Sequence, residues 1–182
     1  MSKLTIVMYH YVRPIIGSKF PSIKGLELDG FKRQLDYLTE NFTIVSTEEV
    51  VYGIKKGAKL PNNACWLTFD DGYKDHYKFV LPELLNRNLH GAFFPPRVAI
   101  EDDVVLDVNS IHHILSCCSE IDQLVSKLNA HCLSAGISNK KISLFYEDLA
   151  VANRFDNANT IYVKRMLQHA LPEELRSSIT EN

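Results

Sequence analysis

Within residues 1–96, four β-rich runs alternate with turns and helical patterns. No other feature of the chain limits its fold as strongly. The runs are "KLTIVMYH", "FTIVS", "ACWLTF" and "HGAFFPP". The first is short and almost wholly apolar, which predicts a strand buried on both faces. A loop-like stretch follows, "RPIIGSKFPSIKG". Asp29 then offers an N-cap, and Phe31, Leu35, Leu38 and Phe42 recur at helical spacing. Ser46 and Glu49 make an S-x-x-E capping box, opening a helix that runs to Gly57. Another helix is expected across "KDHYKFVLPELLNRN", with Pro82 in a first turn or at a kink. Strands that alternate with helices pair in parallel through right-handed crossovers.

The pattern changes after about residue 100. From Asp107 onward no strand is recognisable, and "DVNSIHHILSCC", "EIDQLVSKLNAHCL", "KISLFYEDLAVA", "NANTIYVKRMLQHAL" and "PEELRSSIT" all read as helices. The expected organisation is a βαβα portion over residues 1–100 and a helical insertion or subdomain over residues 101–182. Four strands suffice for a small open sheet. A (β/α) barrel takes on the order of 250 residues, so a barrel reading makes this chain of 182 residues the front part of something longer.

Composition excludes several alternatives. Hydrophobic residues make up 46% and charged residues 23%, the balance of a chain that buries a core. A net charge of -2 gives nucleic acid nothing to bind. The first 100 residues carry 13 basic and 10 acidic side chains, the remainder 7 and 12, a mild asymmetry that fits a solvated helical surface. Cys65, Cys117, Cys118 and Cys132 contain no C-x-x-C pair and read as buried free thiols of a reducing compartment. No apolar run nears the roughly 18 residues of a membrane span, and the N-terminus lacks the pattern of a secretory signal. The expectation is a soluble, cytoplasmic chain.

The third run ends in "FDDG", two adjacent carboxylates and a glycine. In α/β folds, sites gather beyond the carboxyl ends of parallel strands. Asp70 and Asp71 lie there, and Gly72 permits a sharp turn. Adjacent carboxylates repel, so one keeps its proton unless a cation intervenes. A divalent metal resolves this, with one carboxylate as ligand and the other free as a general base. The other reading makes both aspartates caps of the following helix. D-x-D phosphatase, EF-hand, P-loop, G-x-G-x-x-G and G-x-S-x-G patterns are all absent. His10 ends the first strand, which puts it on the same edge as Asp70, where an imidazole serves as general acid; its other reading is structural. His76 is expected at the surface or behind the site. His112 and His113 point different ways on one helix. No H-x-x-x-H pair exists among the seven histidines.

"LTFDDGY" strongly resembles the first motif of the polysaccharide deacetylase family, also called the NodB-homology or carbohydrate esterase family 4 domain. "IVMYHYV" is similar to the opening strand of members that begin with a Y-H element. "FDDGYKDHYKFVLPELLNRNLHGAFF" resembles the family's run from the motif through a helix to the next strand. The likeness covers residues 3–97. The tail, "RFDNANTIYVKRMLQHALPEELR", resembles an insertion in some bacterial members from surface-polysaccharide gene clusters.

The resemblance implies an α/β fold, here a partial distorted (β/α) barrel of the NodB type with a C-terminal helical insertion. It implies hydrolysis of N-acetyl, sometimes O-acetyl, groups on an amino-sugar polysaccharide or its precursor with a divalent metal, zinc. It makes Asp70 the catalytic base, Asp71 a metal ligand and His10 the catalytic acid. The chain departs from the family in lacking the second motif, H-(S/T)-x-x-H, which supplies two further metal ligands, and the arginine-containing third motif. Truncation is the economical explanation, and the chain is expected to be weakly active or inactive. An uncovered barrel edge would favour self-association. The alternative is a non-catalytic α/β binding or scaffold module that kept "DDG" for helix capping.

Overall fold

The computed structural model describes residues 3–181. The chain divides into two compact units, Met1–Val104 and Val105–Asn182.

The first unit is a mixed α/β structure on a parallel sheet. Strand β1 (Leu4–Tyr9) is followed by two-residue strands β2 (Val12–Arg13) and β3 (Leu26–Glu27), which pair in parallel with each other. Helix α1 (Leu28–Asn41) leads to β4 (Thr43–Ile44), then α2 (Thr47–Lys56) and β5 (Ala64–Asp70). A π-helical turn, His76–Val80, continues into α3 (Leu81–Asn86). Strand β6 (Ala92–Phe94) and helix α4 (Arg97–Glu101) complete the unit.

β5 organises the sheet. β1 pairs along it from Leu4↔Ala64 to Tyr9↔Phe69. β4 pairs with its start, at Ala64 and Cys65, and β6 with its end, from Thr68↔Ala92 to Asp70↔Phe94. All of these pairings are parallel, as the strand–helix alternation predicts. Among the described residues the sheet stays open and does not close into a barrel.

Alternation along β5 sends Cys65, Leu67 and Phe69 to the helical side, where they are buried against Phe31, Leu35 and Leu38 of α1 and Val80 and Leu84. Tyr9 joins them, its ring stacked on Phe69 at 5.2 Å and edge-on to Phe31 at 5.1 Å. β1 departs from the sequence expectation. It is buried on one face only, for Ile6 and Met8 are 56% and 60% exposed. Helix α1 covers Val7 and Tyr9 on one side, whereas on the other the cluster of Val45 and Val50 reaches Leu4, and the hydrogen-bonded partner of β1 among the described residues is β5 alone.

Local signals set several boundaries. Ser46 Oγ accepts from the Glu49 N–H at 3.2 Å, and Glu49 Oε2 accepts from the Ser46 N–H at 2.7 Å, so the capping box forms in full. The Ser46 N–H bound to the carboxylate, with the Ser46 side chain nearby, favours the ionised form and lowers the Glu49 pKa. Gly57 ends α2 in the left-handed region, at φ 68°. Helix α1 starts two residues earlier than an N-cap at Asp29 would dictate. Glu27 is its N-cap and Asp29 lies in the first turn, because β3 runs directly into the helix. Pro82 stands at the start of α3. It carries no N–H to continue the ladder, and the π-helical turn ends just before it.

The second unit contains α5 (Asp107–Cys117), α6 (Ile121–Ser134), α7 (Asn139–Leu149), α8 (Ala158–Arg165) and α9 (Glu173–Glu181), with a π-helical turn at Met166–Ala170. Its core gathers Ile111, Leu128, Cys132, Tyr162 and Met166. The Tyr162 hydroxyl donates to Asn129 Oδ1 at 2.7 Å, which satisfies the one polar atom of that buried ring. Among the described residues, none from Val105 onward is in a strand, and no helix of the chain is long and apolar enough to cross a membrane.

Ser46→Ala removes half of the capping box. It is expected to destabilise the protein by about 1 kcal/mol. Urea unfolding should show a lower midpoint with an unchanged slope.

Candidate functional site

Parallel pairing brings the ends of β1 and β5 to one edge of the sheet. The register closes at Tyr9↔Phe69, so His10 follows beside Asp70. Phe69 is buried on the side of α1. Strand alternation therefore turns Asp70 to the opposite side of the sheet. The His10 side chain is exposed, and Asp70 is half-buried. Among the described residues no hydrogen bond joins the His10 imidazole to either aspartate.

The backbone changes hand after Asp70. Asp71 has φ 72° and Gly72 φ 64°, two successive left-handed residues that reverse the chain. Aspartate tolerates this region better than most side chains. Gly72 is needed for a second reason. A Cβ there would lie 2.8 Å from Pro95 Cβ, since β6 ends beside the turn.

Asp71 is oriented by a tyrosine. The Tyr73 hydroxyl donates to Asp71 Oδ2 at 2.7 Å. Burial raises the Tyr73 pKa, and hydrogen bonding to Tyr11 and Asp71 raises it further, so the hydroxyl stays protonated and donates. The Tyr73 ring stacks on Tyr11 with centroids 4.0 Å apart. Beside them Arg13 Nε donates to Asp75 Oδ2 at 2.5 Å, and the guanidinium lies 5.4 Å from the centre of the Tyr11 ring. Neither Asp70 nor Asp71 accepts a hydrogen bond from a helical N–H among the described residues. The N-cap position of the following helix is Asp75, whose side chain makes no capping bond. The two adjacent carboxylates are therefore not spent on capping.

His76 is buried rather than at the surface, with 4% of its area exposed. Its Nε2 lies 2.7 Å from the His10 carbonyl oxygen. Burial lowers its pKa, as it disfavours the imidazolium.

Of the predicted site residues, the fold thus brings His10 and Asp70 to neighbouring positions on one edge and places Asp71 next in the chain on a left-handed backbone. Tyr11, Arg13, Tyr73 and Asp75 were not singled out from sequence. The signal available was local: "YKDH" directly after the glycine carries three polar side chains, and "YVR" follows His10. Among the described residues, no group of three or more His, Cys, Asp or Glu side chains is arranged to hold a metal ion. Catalytic metal sites take about three protein ligands. The donor set present does not fit a bound metal.

Several solved structures are similar to the chain. A de-N-acetylase from Aggregatibacter actinomycetemcomitans matches at a TM-score of 0.43 and 23% identity, over 50% of this chain and 37% of its own. IcaB from Ammonifex degensii matches at 0.41 and 26%, over 52% of this chain and 40% of its own. The Streptococcus pyogenes deacetylase PplD, solved in complex with acetate, matches at 0.47 and 21%, over 62% of this chain and 52% of its own. The matched region thus spans about half or less of each of those proteins. Deacetylases stand among the solved structures similar to the chain. No protein-family model matches the chain, and no curated protein does.

The His76 environment predicts a pH dependence. The unfolded chain takes up a proton on this side chain near pH 6.5. The folded chain resists it, because the pKa is lowered. Below about pH 6.5 the unfolded state binds more protons, so stability falls as pH drops toward the folded pKa. Urea unfolding at pH 7.5 and 5.5 should show this loss, and His76→Phe should reduce it.

Proposed function

We propose that the chain carries the proton-transfer part of a hydrolase site that removes N-acetyl, or O-acetyl, groups from amino-sugar saccharides. The observation that supports this best is the placement of His10 and Asp70 just beyond the paired Tyr9 and Phe69 at one strand edge, next to an aspartate committed to no cap. Asp70 acts as the base that takes a proton from the attacking water. The water oxygen bonds to the acetyl carbon, the C–N bond breaks, and His10 gives a proton to the departing amine. Acetate and a free amino sugar result. Positioned acid and base groups each contribute about 10²–10⁴-fold to such a step. Asp71, oriented by Tyr73, is the one candidate ligand for a divalent metal such as zinc, and the donors among the described residues do not complete a site for it.

A single ligand makes a weak site, so the chain as described is weakly active or inactive by itself. The alternative of a non-catalytic binding or scaffold module draws its support from helix capping by "DDG", and no such cap is formed among the described residues.

A saccharide titration tests the reading. Addition of an N-acetylated chito-oligosaccharide should move backbone amide resonances around His10 and from Asp70 to Tyr73, and little else. Asp70→Asn should diminish the response. A spectrum that does not change at these residues would count against a saccharide site at this edge.

A further inference from the structure

Within the first unit His76 is a buried ionisable side chain to which the proposed chemistry gives no part. Its Nε2 meets a carbonyl, the oxygen of His10, at 2.7 Å. A carbonyl only accepts, so Nε2 carries the proton and the neutral ring leaves its lone pair on Nδ1. Nδ1 is buried without a partner, and the ring lies among Phe69, Tyr73 and Phe93. Such surroundings suit a neutral imidazole. They suit an imidazolium poorly, because its second N–H would find no acceptor.

The His10 carbonyl needs this donor. The β1–β5 ladder ends at Tyr9↔Phe69, and the chain then leaves the sheet. The next carbonyl along, that of Tyr11, accepts from the Leu26 N–H at 2.8 Å. Two further contacts join the same segments. Tyr11 stacks on Tyr73, and Arg13 pairs with Asp75. Three side chains of residues 73–76 thus grip residues 10–13, and the same stretch supplies the hydroxyl on Asp71.

We propose that His76 is a positioning residue. Its Nε2–H holds the His10 peptide where β1 leaves the sheet, and so sets where the His10 imidazole stands relative to Asp70 and Asp71. The part played by His10 rests on the deacetylase reading above; the positioning itself does not. His76 is therefore a fixed donor and transfers no proton in the reaction.

Long-range ¹H–¹⁵N spectra of the full labelled chain test this. The native His76 ring should be the Nε2–H tautomer, with a proton protected from exchange. An Nδ1–H tautomer, or a rapidly exchanging Nε2 proton, overturns the proposal without any variant. His76→Phe keeps a ring among the aromatic neighbours and deletes the donor. It should shift or broaden the His10 ring resonances while those of His131 and His169 stay in place. His76→Gln, whose amide nitrogen reaches the position of Nε2, should restore them. An unmoved His10 in His76→Phe, or no recovery in His76→Gln, overturns the proposal. The chito-oligosaccharide titration on the native chain separates the two ideas. If it gives no response the deacetylase reading fails, while the tautomer and the variant spectra still decide the role of His76.

Discussion

The parallel pairing of β1 with β5 is the constraint on which the rest of the site depends. It runs in one register over the whole of β1, from Leu4↔Ala64 to Tyr9↔Phe69. A slip of one residue would turn Phe69 out of the core and Asp70 into it. Burial of Cys65, Leu67 and Phe69 against α1 makes that slip costly, because each large side chain is worth on the order of 2 kcal/mol or more in the core. The hydrophobic side of the sheet thereby fixes the polar edge. His10 and Asp70 are neighbours because Tyr9 and Phe69 are stacked one residue earlier.

The second element is the turn after β5. Two adjacent carboxylates stand at the strand end, and the backbone at Asp71 and Gly72 is left-handed. Tyr73 then satisfies one oxygen of Asp71. The surrounding contacts are made by side chains about sixty residues apart in sequence, such as Arg13 with Asp75 and His76 with the His10 carbonyl. Loss of one of them leaves a partner buried and unpaired, which generally costs more than the bond itself contributes.

This division explains what was legible in the sequence. The capping box at Ser46 and Glu49, the Gly57 terminator and the helices of the second unit depend on residues a few positions apart, so periodicity and cap chemistry reveal them. The strand-end position of Asp70 was also legible, from the apolar run before it. Burial of β1 was not, because an apolar strand reads alike whether one face or both are covered, and Ile6 and Met8 are exposed. Asp29 offered a good cap, yet the preceding strand passes into the helix at Glu27. Sequence left His76 at the surface or behind the site, because its partner is a backbone carbonyl sixty-six positions away, which no local pattern encodes.

Function follows the same line. The chain brings a candidate base and a candidate acid to one edge, and holds a single candidate metal ligand beside them. Zinc titration by calorimetry tests this most directly. The account predicts no site of submicromolar affinity in the chain, since Asp71 lacks two further protein ligands among the described residues. Submicromolar binding that is lost in Asp71→Asn would contradict it, by showing that the chain completes a metal site with further donors of its own.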